Sequence, residues 1–216
     1  MKRTLLTTLI TTAALMTTLA GLPATAAAEE FCPASTLKQA ETVAQQTYNY
    51  IAYKSPRRYG NSIPEHQRLE RLNAINREVS RVEATYNIKL PRVNILHLTD
   101  SNRGFYSYRR DEIIFSTTRL AHTLRHEFAH VIDHRLGVTG REWKQLVKKM
   151  KDTYHFSPSE YANTNLEEYW AEAFAYFTAP GYGTSDNRFP AELETFITNV
   201  IDQLERPVML VASTCR

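Results

Sequence analysis

Cysteine is nearly absent from this chain. Its 216 residues include only two, Cys32 and Cys215. Neither stands at metal-ligand spacing from a histidine, which excludes a cysteine-zinc module. An excess of one charge is also lacking: Lys plus Arg number 26 against 23 Asp plus Glu, so there is no basic field of the kind a nucleic-acid partner needs. Beyond residue 28 no apolar run is long enough to span a bilayer, and the chain shows no internal repeat or low-complexity linker.

The one long apolar stretch stands at the start. Met1-Lys2-Arg3 is basic, Leu5 to Ala20 is apolar and rich in threonine, and Ala24-Thr25-Ala26-Ala27-Ala28 offers A-x-A cleavage sites after Ala26 or Ala28. Residues 1–28 therefore read as a secretory signal peptide, and residues 29–216 as one domain of about 190 residues, large enough for its own core. Loss of Lys2 and Arg3 leaves the mature chain close to neutral. In an exported protein Cys32 and Cys215 are expected to pair, closing a loop that a chain-entropy model credits with roughly 4–5 kcal/mol.

Helical spacing of apolar residues runs from Ser35 to about Tyr53, with Ser35 or Thr36 as cap, and again from Pro64 to about Tyr86. The period then shortens. Val93 to Leu98, Phe105 to Arg109 and Glu112 to Ser116 read as strands of a small sheet. Helices follow over Leu120 to Leu136, capped by Ser116, Thr117 or Thr118 and stopped by Gly137, then over Arg141 to Lys151, Leu166 to Thr178, and Pro190 to Leu204. The implied class is α+β: a mostly helical single domain with a small sheet beside the helix at 120–136.

That helix carries His126-Glu127-Phe128-Ala129-His130, an H-E-x-x-H motif. Residues four apart share a helix face, so His126 and His130 can offer two imidazole nitrogens to one Zn2+ ion. Glu127 stands beside them as a general base that is not itself a ligand. His122 and His134 extend the four-residue row, but it drifts about 40° per step. Only the middle pair has Glu after its first His. His122 and His134 are read as flanking residues.

Two imidazoles need a third protein ligand if one position is to stay open for water. The helix Leu166 to Thr178 supplies Glu168 and Glu172 on one face of an otherwise apolar segment. Glu168 is the expected third ligand, and Glu172 the acceptor that fixes the tautomer of His126 or His130. Simple capping at the helix start is the competing reading for the Glu167-Glu168 pair. Phe105, Tyr106 and Tyr108 either pack the sheet or line a substrate groove at its edge.

Taken together, His126-Glu-Phe-Ala-His130, Tyr161-Ala-Asn-Thr-Asn165 and Glu168-Tyr-Trp-Ala-Glu-Ala-Phe174 resemble the zinc-peptidase domain of anthrax lethal factor and the related secreted Pro-Pro endopeptidases. The resemblance covers about Pro91 to Phe177. It implies a zincin-like fold, Glu168 as zinc ligand, and Tyr161 as the phenol that supports the developing oxyanion. It further implies a secreted, monomeric zinc endopeptidase acting on an extended protein or peptide substrate, with cleavage between prolines as a family trait. Two other readings are a toxin-like protease acting on host proteins and a catalytically silent zinc-containing adhesin or inhibitor domain. The silent domain would be marked by loss of Glu127 or Tyr161, and both are present.

Overall fold

The computed structural model describes residues 31–48, 50–54, 63–98, 100, 104–115, 119–184 and 187–207. The expected signal peptide, the helix caps Ser116, Thr117 and Thr118, and Cys215 lie outside the described residues. The Cys32–Cys215 pairing therefore involves a position that is not described.

The chain enters helix α1, Leu37–Thr47, through a capping box in which the Thr36 hydroxyl accepts from the Gln39 amide and Gln39 answers the Thr36 backbone. This helix is shorter than its spacing suggests. After Tyr48 the chain becomes strand β1, Ile51–Lys54. The apolar row from Leu37 to Ile51 keeps a helical period, but the Tyr-Asn-Tyr-Ile-Ala-Tyr composition at its end is rich in aromatic residues and favours extended backbone. Sheet pairing then outweighs the local period, and Tyr50 is buried against Asn76, to which its hydroxyl donates.

Helix α2, Glu65–Tyr86, carries the chain across to β2, Ile95–Leu98; β3, Phe105–Ser107, and β4, Glu112–Ile114, complete the sheet. All three of these strands are shorter than the sequence pattern suggests. The strand order is β1-β2-β4-β3. The first two pairings are parallel, with Ile51 opposite Ile95 and Ile95 opposite Glu112, while β3 runs antiparallel to β4 with Phe105 opposite Ile114. A parallel pair needs a crossover, and α2 provides the one between β1 and β2. The short excursion through β3 returns the chain to β4 and leaves β3 outermost.

Five further segments finish the described fold: α3, Leu120–Leu136; α4, Arg141–Asp152; a 3₁₀ turn at Tyr161–Asn163; α5, Leu166–Phe177; and α6, Ala191–Ile201. Among the described residues the protein is thus mostly helical, with six α-helices and one four-stranded mixed sheet. Gly137 ends α3 at φ 66°, a left-handed conformation that glycine takes without strain, and its amide returns to the Asp133 carbonyl. One contiguous apolar core draws on all six helices, from Leu37 to Leu204, with Trp143, Trp170, Phe128 and Phe174 at its centre.

The deepest helix packing is α3 across α5, tied by the Trp170 indole, which donates to the Ala129 carbonyl at 2.8 Å. On another face of α3 the buried Arg125 pairs with Glu78 of α2 and donates through Nε to the Ala175 carbonyl at 2.8 Å. Arg81 also binds Glu78, at 2.7 Å, and reaches the Thr178 carbonyl at 2.6 Å. The Glu78 carboxylate therefore clamps α2 to α3 and to the end of α5. Removing one member of a buried pair leaves its partner charged and unmatched. Glu78→Ala is expected to lower the free energy of unfolding by about 3–5 kcal/mol, seen as an earlier urea midpoint at unchanged slope.

Candidate metal centre

Three consecutive residues of α3, Arg125, His126 and Glu127, are all buried. Burying ionisable side chains is costly unless each finds a partner, so the neighbours of α3 are set by what these groups require. Arg125 turns to Glu78. His126 turns to α5, where its Nδ1 lies 2.8 Å from Oε1 of Glu172. Glu127 turns to the sheet edge and accepts the backbone N–H of Tyr106 in β3.

With Nδ1 occupied by Glu172, His126 points Nε2 at the cleft. It stands 3.2 Å from Nε2 of His130 and 3.0 Å from Oε2 of Glu168, and His130 Nε2 is 3.5 Å from that same oxygen. Around a tetrahedral zinc with bonds of 2.0–2.1 Å, neighbouring donor atoms sit about 3.3 Å apart. The three separations match the edges of such a tetrahedron. Oε2 of Glu168 is buried, and despite its short distances it forms no well-directed hydrogen bond. Two imidazole lone pairs and an orphaned carboxylate oxygen converging on one point make a donor set that fits a metal ion. The Asn165 side chain caps α5 by accepting the Glu168 amide at 2.7 Å, while the Glu168 carboxylate turns to the histidines. The Asn165 side chain thus does the capping, and the Glu168 carboxylate is left for the site.

No family model matches this chain, and no curated protein does. The resemblance to a peptidase family therefore rests on the motif residues alone.

A second group overlaps the first: His122, His126 and Glu172 also hold their ligand atoms within 4.8 Å of one another, so a buried His/His/Glu set that could hold a metal ion can be drawn two ways. The contacts distinguish them. Oε1 of Glu172 receives both His126 Nδ1, at 2.8 Å, and His122 Nε2, at 2.9 Å. Both contacts have ordinary hydrogen-bond lengths, and two N–H donors satisfy one carboxylate oxygen without an ion. His122, expected to be a flanking residue, is therefore part of this network. The drift of the helical row keeps it from sharing a metal with His130 but brings it beside Glu172 on the other side of His126.

The electrostatics follow from burial and these partners. Burial lifts the Glu127 carboxyl to about 7, against the lowering influence of His126 and His130. Burial would also raise Glu168, but the neighbouring imidazoles of His126 and His130 outweigh it and pull that carboxyl down to about 2. For His126, burial favours the neutral ring, while the carboxylates of Glu168 and Glu172 favour the charged one. Tyr161 is raised by partial burial and by the carboxylates of Glu168 and Glu127.

Tyr161 stands at the start of the 3₁₀ turn, 55% exposed, with its ring centroid 5.9 Å from that of His126 and its hydroxyl bonded to Glu168. It faces the donor set across a cleft of about 360 Å³. The opposite wall is β3 and its flank, where Phe105 and Tyr108 are 42% and 59% exposed and line the cleft. Tyr106 is tied back more firmly, its hydroxyl 2.8 Å from Asp111 and 3.1 Å from His134 Nδ1. His134, on the exposed end of α3, thus lies at the cleft rim and away from the donor set.

Two contributors were not evident from local pattern. Gly104 sits so close to the site that a Cβ there would come within 2.5 Å of Thr123 Cγ2 and 3.0 Å of Glu127 Oε1. Ser159 donates to Glu172, and its hydroxyl oxygen accepts the Ala162 amide at 3.1 Å, which ties the turn bearing Tyr161 to α5. Neither has a sequence signal, because both depend on contacts between distant segments. The purified chain is expected to retain one zinc per molecule, and Glu168→Ala to lose it while remaining folded, as measured by metal analysis beside circular dichroism.

Proposed function

We propose that this protein is a zinc-dependent endopeptidase that cleaves extended protein substrates. The observation that carries this reading is the convergence of His126 Nε2, His130 Nε2 and Glu168 Oε2, with buried Glu127 on one side and Tyr161 facing it. A zinc ion held by those three residues would acidify water and polarise the scissile carbonyl.

The residues around it have separate tasks. Glu127, buried beside the donor set, would accept the proton of the attacking water and pass it to the leaving amine. Tyr161 donates its hydroxyl to the oxygen on which negative charge develops. An extended peptide laid along the outermost strand β3 would set its side chains against Phe105 and Tyr108, which line the cleft. Aromatic walls of this kind suit proline rings, which supports the proline-directed, Pro-Pro form of the activity that the family resemblance implies. The reading extends to an exported enzyme that acts as a monomer, with residues 1–28 as its signal peptide and Cys32 paired with Cys215. No described helix is long and apolar enough to cross a membrane.

The test is cleavage of a peptide library that includes proline-rich members. Turnover should stop with a chelator and return with zinc. Glu127→Ala is expected to keep its zinc and lose about 10²–10⁴-fold in kcat. Tyr161→Phe should lose about 10²–10³-fold with metal content unchanged, the cost of one donor to an oxyanion. Gly104→Ala, which pushes on Glu127, should slow turnover by up to about 10²-fold through misplacement of the base, again with zinc retained. Full activity in Glu127→Ala would overturn the assignment of the base.

A further inference from the structure

His122, one turn before the motif, has no task in the reaction as described. Its contacts are nonetheless specific. Its Nε2 lies 2.9 Å from Oε1 of Glu172, the oxygen that His126 Nδ1 approaches at 2.8 Å. An ionised carboxylate oxygen offers two lone pairs, and here each takes one imidazole N–H. That arrangement sets both tautomers: the proton is on Nε2 of His122 and on Nδ1 of His126, so His126 Nε2 keeps its lone pair toward His130 and Glu168. The other side of the His122 ring meets Tyr176 edge to face, with centroids 5.0 Å apart. The His122 side chain is 22% exposed and that of Glu172 is 6% exposed, so their bond is shielded from competing water. Glu172 has one more donor, Ser159, in the segment leading to Tyr161.

We infer that His122 is a positioning residue of the metal centre: its N–H locks the Glu172 carboxylate, whose other bonds orient His126 and hold the turn that carries Tyr161. This rests on the reading of His126, His130 and Glu168 as zinc ligands. Without the His122 donor, Glu172 is free to swing toward its remaining partners. His126 then loses its fixed ring orientation, and a loosely held imidazole binds metal less tightly.

The experiment measures zinc affinity by chelator competition for wild type, His122→Phe and His122→Gln, with the thermal midpoint of each and the visible spectrum of each cobalt-substituted protein. Phe keeps a ring against Tyr176 and removes the donor. Gln returns an amide N–H at about the reach of Nε2. His122→Phe should bind zinc about 10–100-fold more weakly, with a changed cobalt spectrum and a midpoint near that of wild type, and His122→Gln should recover most of the loss. Zinc affinity of His122→Phe within twofold of wild type overturns the inference alone, as does His122→Gln falling as far as His122→Phe. If His122→Phe does not fold, nitrogen-15 spectra of the zinc-loaded wild type decide. Protons on His122 Nε2 and His126 Nδ1 support the assignment, and a bare His122 Nε2 overturns it. Wild type that binds no zinc overturns both the metal-centre reading and this inference.

Discussion

The hydrogen bond between His126 Nδ1 and Glu172 Oε1 is the contact on which the rest of the site depends. It joins α3 to α5 inside the core, at 2.8 Å, and it decides which nitrogen of His126 is left for the cleft. Both helices must approach closely for it to form. The small residues Ala129 on α3 and Ala171, Ala173 and Ala175 on α5 are all buried, and the Trp170 indole finds its acceptor in the Ala129 carbonyl. Packing and polar satisfaction therefore point to the same helix crossing, which is how a buried imidazole can be held in one orientation.

Helix α3 is unusual in having three successive buried ionisable side chains, each facing a different neighbour. Arg125 needs α2 and the end of α5, His126 needs the middle of α5, and Glu127 needs β3. Each requirement fixes one contact of the helix, so three unrelated elements are brought around a single point. An apolar helix could slide or rotate among similar packings. This one cannot without stranding a charge, and that constraint gives the donor set its geometry. The same logic explains why Gly104 is tolerated next to β3: a side chain there would press on the carboxylate that the strand helps to hold.

Much of this was legible in the sequence because helical spacing converts directly into shared faces. His126 and His130, and Glu168 and Glu172, are pairs four apart on two helices, and the structure brings the two pairs together. Helix ends marked by Thr36, Asn165 and Gly137 follow from local chemistry. Other features depended on distant contacts. The stretch Ile51–Lys54 keeps a helical apolar period yet becomes a strand, because β2 offers it a partner that the local pattern does not reveal. His122 cannot share a metal with His130, and its actual partner, the Glu172 carboxylate beside His126, belongs to a different helix that local spacing does not reveal. Ser159 and Gly104 matter through contacts with residues more than ten positions away. Phe105 and Tyr108 are exposed and line the cleft, which their alternation in the strand pattern does not determine.

Anomalous diffraction at the zinc edge from crystals of the zinc-loaded protein tests the central claim most directly, since it locates the ion without reference to activity. The account predicts one peak, about 2.0–2.1 Å from Nε2 of His126, Nε2 of His130 and an oxygen of Glu168, with Glu127 alongside and not coordinating. A peak on the other side of His126, between His122 and Glu172, or no peak at saturating zinc, would contradict it.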